Sequence, residues 1–312
     1  MINRFIFSLA MDSIKKAVPV PKVDYERCLN RRQKWQECTT CRDVCPKEGA
    51  ITYNKQISID PNLCNGCHLC HGLCPTHCIL QQSSFIRGND ASDHDTLMIY
   101  CRPCGTDAAG INIPCVASLP WEFYAYSSYR GPISIMTQDC SQCGLDANKY
   151  IQDIHQRLRL FWGDDGYNAK ILCHTKAPDA HYSRREMFGL FAGRAKAKTA
   201  VDVMMPEDAS QSHPSLYRGL LLNALEEDAV HGWLTWEFGQ ACHGCSSKVC
   251  EKLCPSGAIK IEDEDAQRTI THNVLLCIGC RLCKTICPRK SIGDEQIVHM
   301  ASKAQPIALN VV

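Results

Sequence analysis

The sequence contains no run of about 18 apolar residues, so no segment is long enough to cross a membrane as a helix. It also lacks an excess of either charge, because 34 Lys and Arg residues balance 33 Asp and Glu residues and leave a formal net charge of +1. Surfaces that bind nucleic acid carry a basic excess, which is missing here. We therefore expect a soluble chain that neither spans a membrane directly nor binds nucleic acid.

Motifs for nucleotide and acyl chemistry are missing as well. No G-x-x-x-x-G-K-[ST] loop occurs, and no G-x-G-x-x-G follows a predicted strand. A G-x-S-x-G turn, which would place a nucleophilic serine, is also absent. We therefore expect no nucleotide partner and assign no catalytic residue.

The N-terminus has no evident export signal, since the apolar stretch Phe5–Met11 is short and lacks a small-residue cleavage site. We expect a reducing, cytoplasmic compartment. The chain has 23 cysteines, an odd number, in a sequence too long to need disulfides in place of a core. In a reducing compartment, clustered cysteines are metal ligands or redox groups.

These cysteines form four copies of one unit, two near each end of the chain. Two copies match the bacterial iron–sulfur spacing C-x2-C-x2-C-x3-C-P, and they are Cys64-x2-Cys67-x2-Cys70-x3-Cys74-Pro75 and Cys277-x2-Cys280-x2-Cys283-x3-Cys287-Pro288. A third copy has two more residues before its third cysteine and reads Cys242-x2-Cys245-x4-Cys250-x3-Cys254-Pro255. This spacing predicts iron–sulfur ligation at both ends.

The fourth copy is interrupted. Only Cys38-x2-Cys41-x3-Cys45-Pro46 is compact, and the residues before Cys28 align with those before Cys64. Cys28 is therefore the expected first ligand, displaced by an inserted loop over Leu29–Glu37. If Cys28 does not reach its cluster, that cluster would be a three-iron form.

Each Cys-Pro pair is followed by a small residue and an isoleucine, and the small residues are Ala50, Cys78, Ala258 and Ser291. We call this position, which follows each Cys-Pro pair, the small-residue slot. Because Cys78 occupies it in the second repeat, we expect Cys78 to pack as a small apolar group and not to bind metal. We expect the histidines of the cysteine runs to contact solvent or the ligands instead of binding metal, and these are His68, His71, His77 and His243.

A [4Fe–4S] cube needs four thiolates that converge on one centre. Three come from one cysteine run, and the cysteine of the Cys-Pro pair ligates the neighbouring cluster. Crossed in this way, the expected ligand sets are Cys28, Cys38, Cys41 with Cys74; Cys64, Cys67, Cys70 with Cys45; Cys242, Cys245, Cys250 with Cys287; and Cys277, Cys280, Cys283 with Cys254.

On these motifs, residues 22–82 and 234–300 resemble bacterial dicluster ferredoxins. The resemblance implies two [4Fe–4S] clusters in each module, four in all, in a small pseudo-twofold β-α-β fold. Zinc is the alternative, because paired C-x-x-C motifs also hold tetrahedral Zn²⁺.

The middle of the chain has a different pattern. Short apolar runs near residues 96–100, 111–115, 132–136 and 169–173 predict strands, and Leu145–Trp162 predicts a helix that ends at Gly163. Alternating strands and helices are typical of a parallel α/β sheet. Ligands of such sheets lie beyond the carboxyl ends of the strands, where we expect Cys101, Cys104, Cys140 and Cys143.

The sequences around Cys101–Gly110, Cys115 and Cys140–Cys143 resemble the delta-type iron–sulfur subunit of methyl-viologen-reducing hydrogenases, over residues 96–175. That resemblance implies a [2Fe–2S] cluster and a role between a hydrogenase and heterodisulfide reductase. Cys101, Cys104, Cys140 and Cys143 are the expected ligands, with Cys115 and Cys173 as alternatives. A zinc site or unligated, redox-active thiols are the other interpretations.

The expected fold class is α+β, with two ferredoxin-like dicluster modules flanking a small, cysteine-rich α/β domain. The helices expected in the connecting segment, residues 177–232, either pack between the modules or form a docking surface for a partner. The expected boundaries are 1–22 for an N-terminal segment, 23–83 for the first module, 95–176 for the α/β domain, 177–232 for a helical connector, 233–300 for the second module and 301–312 for a tail.

These patterns predict an electron-transfer subunit. Its partners would be a catalytic subunit, hydrogenase or heterodisulfide-reductase-like, and an electron acceptor. One alternative is an iron–sulfur enzyme with thiol or disulfide chemistry at Cys115 or Cys173. A second is a zinc-stabilised interaction protein.

Overall fold

A computed structural model describes residues 20–32, 38–80, 87–89, 96–101, 110–129, 131–141, 143–175, 215–264, 267–301 and 307–309 of the chain. Helices and strands are mixed throughout these ranges. No helix within them combines the length and the apolar character needed to span a membrane.

The N-terminal region consists of short elements around two cysteine runs. They are β1 (Lys22–Val23), a 3-10 turn (Tyr25–Arg27), α1 (Leu29–Arg32), α2 (Thr40–Asp43), β2 (Ile51–Asn54), β3 (Gln56–Ile59), α3 (Leu69–Gly72) and β4 (Ile79–Leu80). β1 pairs with β4 and β2 pairs with β3, both antiparallel. The first strand therefore meets the last, and the inner two strands form a hairpin.

The middle of the chain is built on a five-stranded sheet. Its elements are β5 (Arg87–Asn89), β6 (Leu97–Cys101), β7 (Gly110–Ile113), a 3-10 turn (Val116–Ser118), α4 (Trp121–Tyr129), β8 (Ile133–Thr137), α5 (Asn148–Lys170) and β9 (Ile171–Thr175). The strand order is β5-β7-β6-β8-β9, in which β6, β7, β8 and β9 are parallel and β5 is antiparallel to β7. β5 lies between the expected domain boundaries at 83 and 95, because its pairing with β7 extends this sheet upstream.

Gly163 interrupts the long helix of this region. α5 begins at Asn148, three residues after the expected start, and Gly163 has the non-helical angles φ 72° and ψ 167°. The predicted end of the helical run is thus correct, although helical turns resume after the glycine. The buried positions Ile151, Ile154 and Leu158 follow the expected helical period.

The remaining elements are α6 (Leu216–Ala224), β10 (Val230–Phe238), a 3-10 turn (Gln240–Cys242), α7 (Val249–Lys252), β11 (Ile259–Glu264), β12 (Gln267–His272), α8 (Leu282–Ile286), β13 (Ile292–Ala301) and β14 (Ile307–Leu309). β10 pairs with β13 and β11 pairs with β12, both antiparallel. The C-terminal region thus repeats the outer-pair and inner-hairpin arrangement of the N-terminal one, with β14 added beside β12.

One hydrophobic core runs from the N-terminal region through the middle sheet to α6 and Trp233. α6 packs on α4 and buries Tyr217, Leu220 and Leu221, so this part of the connector is core and not an exposed docking face. A second core in the C-terminal region contains Trp236 and Phe238. The remaining connector residues, 177–214, lie outside the described ranges.

Candidate metal centres

The first group of cysteines joins both halves of the N-terminal region. Cys45, Cys64, Cys67 and Cys70 line one cavity, whose walls include the apolar side chains of β2 and β3. Burial raises the pKa of the Cys67 thiol, and the negative charges of Cys45 and Cys64 raise it further. The cysteine of the first Cys-Pro pair therefore lies with the three cysteines of the second run.

The second group places Cys28 where the interrupted repeat requires it. Burial raises the pKa of Cys41 to about 12, and the charges of Cys74, Cys38 and Cys28 add to this rise. Cys28 is only 3% exposed. The other three thiols of this expected set therefore lie around Cys41 despite the inserted loop.

Asn30 holds the two ends of that loop together, a contact that the cysteine motifs do not predict. Its side-chain amide donates to the Cys38 carbonyl oxygen at 3.0 Å, and its Oδ1 accepts from the Cys38 backbone N–H at 2.6 Å. The two bonds bring Cys38 close to the helical turn that follows Cys28. The only local sign of this contact in the sequence is the asparagine itself, two residues after the displaced ligand. In the structure that asparagine is buried.

The C-terminal region contains the corresponding two groups. Cys242, Cys245, Cys250 and Cys287 line a cavity with apolar walls. In the other group, burial raises the pKa of Cys280 to about 12, with further contributions from the charges of Cys277 and Cys254. Cys283 has the same neighbours, so Cys254 lies with the three cysteines of the last run.

Four backbone hydrogen bonds explain why the cysteines cross between runs. In each, the residue at the start of one repeat donates its N–H to the carbonyl oxygen of the small-residue slot in the other repeat of the pair. The bonds are Asp24 to Cys78 at 2.7 Å, Asp60 to Ala50 at 2.8 Å, Gly239 to Ser291 at 2.7 Å and Asn273 to Ala258 at 2.7 Å. The Asp60–Ala50 and Asn273–Ala258 bonds continue the β2–β3 and β11–β12 hairpins, whereas the partners in the other two bonds are distant in sequence.

Two arginines fix the ligand loops of the C-terminal region. The Arg268 guanidinium donates to the carbonyl oxygens of Cys242 and Cys245, both at 2.7 Å, and pairs with Asp263. Arg218 donates to the Cys277 carbonyl oxygen at 3.1 Å and to those of Val274 and Leu275. These contacts orient the loops. The positive charges of the two guanidinium groups lie close to thiol groups that become anionic as ligands.

Backbone N–H groups also reach three of the sulfurs directly. The N–H of the small-residue slot donates to the Cys-Pro sulfur in three repeats, and the pairs are Cys78 to Cys74 at 3.3 Å, Ala258 to Cys254 at 3.3 Å and Ser291 to Cys287 at 3.4 Å. Hydrogen bonds to cluster sulfurs are one of the ways in which a protein sets a reduction potential.

In the middle region, four cysteines converge beyond the carboxyl ends of the parallel strands. Cys101, Cys115, Cys140 and Cys143 line one small cavity, which lies beside Ile151 of α5. Burial raises the pKa of Cys115 to about 12, and the charges of the other three raise it further. Three of the expected ligands and one of the alternatives are thus together, while Cys104 lies outside the described residues.

Cys173, the other alternative, is not part of that group. It lies on β9 with its sulfur 3.9 Å from His155 Nε2 and 4.0 Å from the Tyr167 hydroxyl. Its side chain thus contacts α5, away from the strand ends where the other cysteines meet.

Two of the three histidines of the N-terminal runs are buried, and the third, His77, is partly buried. His68 and His71 are 1% and 4% exposed. His71 Nδ1 is 2.6 Å from the Ile79 carbonyl oxygen, and burial lowers its pKa to about 4. His243 is exposed, as expected.

The donor sets fit iron–sulfur clusters. Every cysteine within the described ranges is a free thiol. Among the same residues, no group of three or more His, Cys, Asp or Glu side chains is compact enough to hold a single metal ion. A cubane carries its four thiolates at separate corners, which is the arrangement of four cysteines around a cavity.

Comparison with protein families assigns both ends of the chain. Residues 241–291 match the 4Fe-4S dicluster domain. Residues 57–80 match the 4Fe-4S binding domain. The chain thus has 4Fe-4S ferredoxin-type domains in its N- and C-terminal regions, and the predicted ferredoxin resemblance at both ends is confirmed.

Individual relatives share short segments with this chain. Hydrogenase-4 component A of Escherichia coli is 43% identical over 52 residues, which are 17% of this chain and 23% of that protein. The B component of the anaerobic dimethyl sulfoxide reductase of Haemophilus influenzae is 38% identical over 61 residues, 19% of this chain and 28% of that protein. The NrfC homolog of the same species is 37% identical over 66 residues, 21% of this chain and 28% of that protein. The matches therefore span only about a quarter of each relative.

Proposed function

We propose that this chain is an iron–sulfur electron-transfer subunit that relays single electrons between a catalytic oxidoreductase subunit and an acceptor. The observation that carries the proposal is the convergence of cysteines from paired repeats, which gives four thiol groups at each of four places. Ferredoxin-type domains at both ends and similarity to named components of a hydrogenase and a reductase support it.

The ligand sets that we propose are those expected from the spacing. In the N-terminal region they are Cys28, Cys38, Cys41 with Cys74 and Cys64, Cys67, Cys70 with Cys45; in the C-terminal region they are Cys242, Cys245, Cys250 with Cys287 and Cys277, Cys280, Cys283 with Cys254. Each bound cube would supply one reversible one-electron step. Apolar side chains line the cavities beside the sulfurs, and Arg218, Arg268 and the backbone N–H groups offset the negative charge of the ligands.

For the middle region we propose a [2Fe–2S] cluster, in line with the resemblance to the delta-type hydrogenase subunit. Cys101, Cys140 and Cys143 are proposed ligands. Cys115 lines the same cavity and is the fourth candidate within the described residues, and Cys104 competes with it for that role. The cavity lies outside the carboxyl ends of parallel strands, which is where such sheets bind their ligands.

We further propose that the catalytic partner is hydrogenase-like or heterodisulfide-reductase-like. One matched relative bears the name of a hydrogenase component, and the heterodisulfide-reductase-like alternative comes from the resemblance of the middle region to the delta-type hydrogenase subunit. Co-purification from anaerobic native extract, followed by identification of the bound subunits, tests this choice.

An anaerobic reductive titration tests the relay function. Dithionite should reduce the full chain with about five one-electron equivalents, one for each proposed cluster, and oxidised methyl viologen should recover them. Uptake of fewer than about two equivalents, or electrons that no acceptor recovers, would contradict an electron-relay role.

A second candidate is thiol chemistry at Cys173. Its sulfur lies beside His155, whose Nδ1 is 2.9 Å from the Tyr167 hydroxyl, so the imidazole is oriented by a third group. Desolvation raises the pKa of this thiol, which works against a reactive thiolate. Turnover of a disulfide by the isolated chain, lost in Cys173→Ser, would favour this candidate over a relay.

A further inference from the structure

Cys78 places a fifth sulfur at one of the proposed cluster sites. Its Sγ is 3.4 Å from Cys74 Sγ, and the Cys28 side chain is its other sulfur neighbour. Cys78 is 2% exposed, so its thiol is shielded from bulk solvent. Within the four repeats, only this one has sulfur in the small-residue slot, since the others have Ala50, Ala258 and Ser291.

Packing does not require the sulfur. The slot accepts alanine twice, and the backbone of the slot is alike in three repeats, because its N–H donates to the Cys-Pro sulfur at 3.3 to 3.4 Å in each. What distinguishes the second repeat is the side chain alone. Packing therefore does not explain why this slot holds a cysteine, and we look for the explanation in the chemistry of the thiol.

The thiolate charges beside Cys78 favour a protonated thiol at this position. Once Cys74 and Cys28 bind iron as thiolates, an unprotonated third sulfur beside them would add a further buried negative charge to the site. A protonated thiol instead presents its S–H as a donor to a neighbouring sulfur. Since Cys28, Cys38, Cys41 and Cys74 already supply four thiolates, no corner of a cube is left for Cys78.

We propose that the Cys78 thiol donates its single S–H hydrogen bond to the ligand sulfur of Cys74, and that it thereby raises the reduction potential of this one cluster. This inference rests on the proposed function, because it presupposes a cluster at the site. The added electron of the reduced cluster is partly delocalised onto the ligand sulfurs, so a donor at one of those sulfurs favours the reduced state. Cys78 is a positioning residue and not a ligand.

Potentiometric titration of the full chain under anaerobic conditions, followed by electron paramagnetic resonance, tests the assignment. Cys78→Ala introduces the residue that two other repeats have in this slot, so the fold should be retained. We expect one transition to move to lower potential, with iron content and the other transitions unchanged. Cys78→Ser keeps a donor, so the same transition should move less than in Cys78→Ala.

Ser291→Ala is the matched control. Ser291 fills the same slot beside Cys287, where the described contact with sulfur comes from the backbone N–H and not from the hydroxyl. This variant should leave every transition in place. A shift as large as that of Cys78→Ala would attribute the effect to the slot and overturn the role of the thiol.

A second readout detects the donor itself. In the reduced wild-type chain, electron–nuclear double resonance should find a proton coupling that disappears in D₂O and is missing in Cys78→Ala. Unchanged potentials in Cys78→Ala, or loss of about four iron atoms per chain, would overturn this inference alone, since the second result would make Cys78 a ligand. A wild-type chain without iron would instead overturn the proposed function, and this inference with it.

Discussion

Arg218 and Glu122 form an ion pair in the interior, with 3.7 Å between Arg218 Nη1 and Glu122 Oε1 and both side chains 5% exposed. Glu122 belongs to α4 of the middle region, and Arg218 belongs to α6 and bonds to the loop that ends at Cys277. The pair therefore connects the middle region to a proposed ligand loop of the C-terminal region. Burial lowers the pKa of Arg218, and the charge of Glu122 offsets part of that effect.

Removing the carboxylate should destabilise the chain strongly. Glu122→Gln leaves the Arg218 cation buried with only neutral acceptors, and loss of one partner of a buried pair costs about 3 kcal/mol. Urea unfolding under anaerobic conditions, followed by tryptophan fluorescence, measures the change. The control is Asp294→Asn, which removes the carboxylate of an exposed pair with Lys284 and should not move the midpoint. Equal midpoints for the two variants would show that the buried pair does not support the fold.

Crossed ligation makes a prediction about paired substitutions. Cys45→Ser and Cys67→Ser lie in different repeats but should remove the same cluster, so each variant and their combination should lose about four iron atoms per chain. Cys45→Ser combined with Cys41→Ser should lose about eight, because these neighbours in sequence serve different clusters. Iron analysis checks both counts. If the Cys45/Cys67 pair lost iron additively, the ligand sets would be uncrossed.

The middle region offers a test between two cysteines. Cys115→Ser should abolish the [2Fe–2S] signal, because Cys115 lines the cavity with Cys101, Cys140 and Cys143. Cys173→Ser should leave the signal intact, since that sulfur lies beside His155. Visible circular dichroism and electron paramagnetic resonance of the reduced chain measure the signal. Its persistence in Cys115→Ser would assign the fourth position to Cys104.

Gly72 marks a close approach between the N-terminal region and the middle region. A Cβ on Gly72 would overlap the Ala117 carbonyl oxygen and the backbone of Ser118, neither of which can move without shifting the 3-10 turn. Gly72→Ala should therefore destabilise the chain by about 1 to 3 kcal/mol. Gly166→Ala, where the nearest atom is the Trp162 side chain, is the control and should keep or raise the urea midpoint. A stable Gly72→Ala variant would mean that the two regions do not pack this closely.

His272 makes stability depend on pH. It is 0% exposed, its Nδ1 lies 2.9 Å from the Thr235 hydroxyl oxygen, and burial lowers its pKa from 6.5 to about 4. Between those values the unfolded chain binds a proton that the folded chain does not, so stability falls as pH decreases from 6.5 toward 4, by about 1.4 kcal/mol per pH unit. His272→Asn should flatten the fall of the urea midpoint between pH 7.5 and 5.5. The exposed His299→Asn is the control, and a wild-type slope in His272→Asn would contradict the assignment.

Much of the metal-binding arrangement could be predicted from sequence, because local spacing determines it. Three cysteines on a tight loop point to one centre whatever surrounds them, and the Cys-Pro cysteine follows the pseudo-twofold relation of the repeats. The alignment before Cys28 and Cys64 locates the displaced cysteine for the same reason. The strands β6 and β8 are recognisable from their apolar runs, and each buries three of its five residues, as central parallel strands do. β9 lies at the edge of the sheet and buries only Ile171, although its apolar residues also indicate a strand.

The features that sequence patterns do not reveal depend on contacts between segments that are distant in sequence. Arg268 reaches carbonyl oxygens 23 and 26 residues upstream, and its only local sign is the opposite charge of Asp263 across the β11–β12 hairpin. β5 has the polar sequence Arg-Gly-Asn, which gives no strand pattern and resembles a boundary between domains. The burial of His68 and His71 follows from tertiary packing, which composition does not reveal.

Metal and sulfide analysis of the full chain, purified without oxygen, tests the central claim most directly. We predict between about 16 and about 18 atoms each of iron and acid-labile sulfide per chain, a brown colour and a paramagnetic signal after reduction with dithionite. A colourless chain that contains zinc, lacks sulfide and gives no such signal would contradict the account.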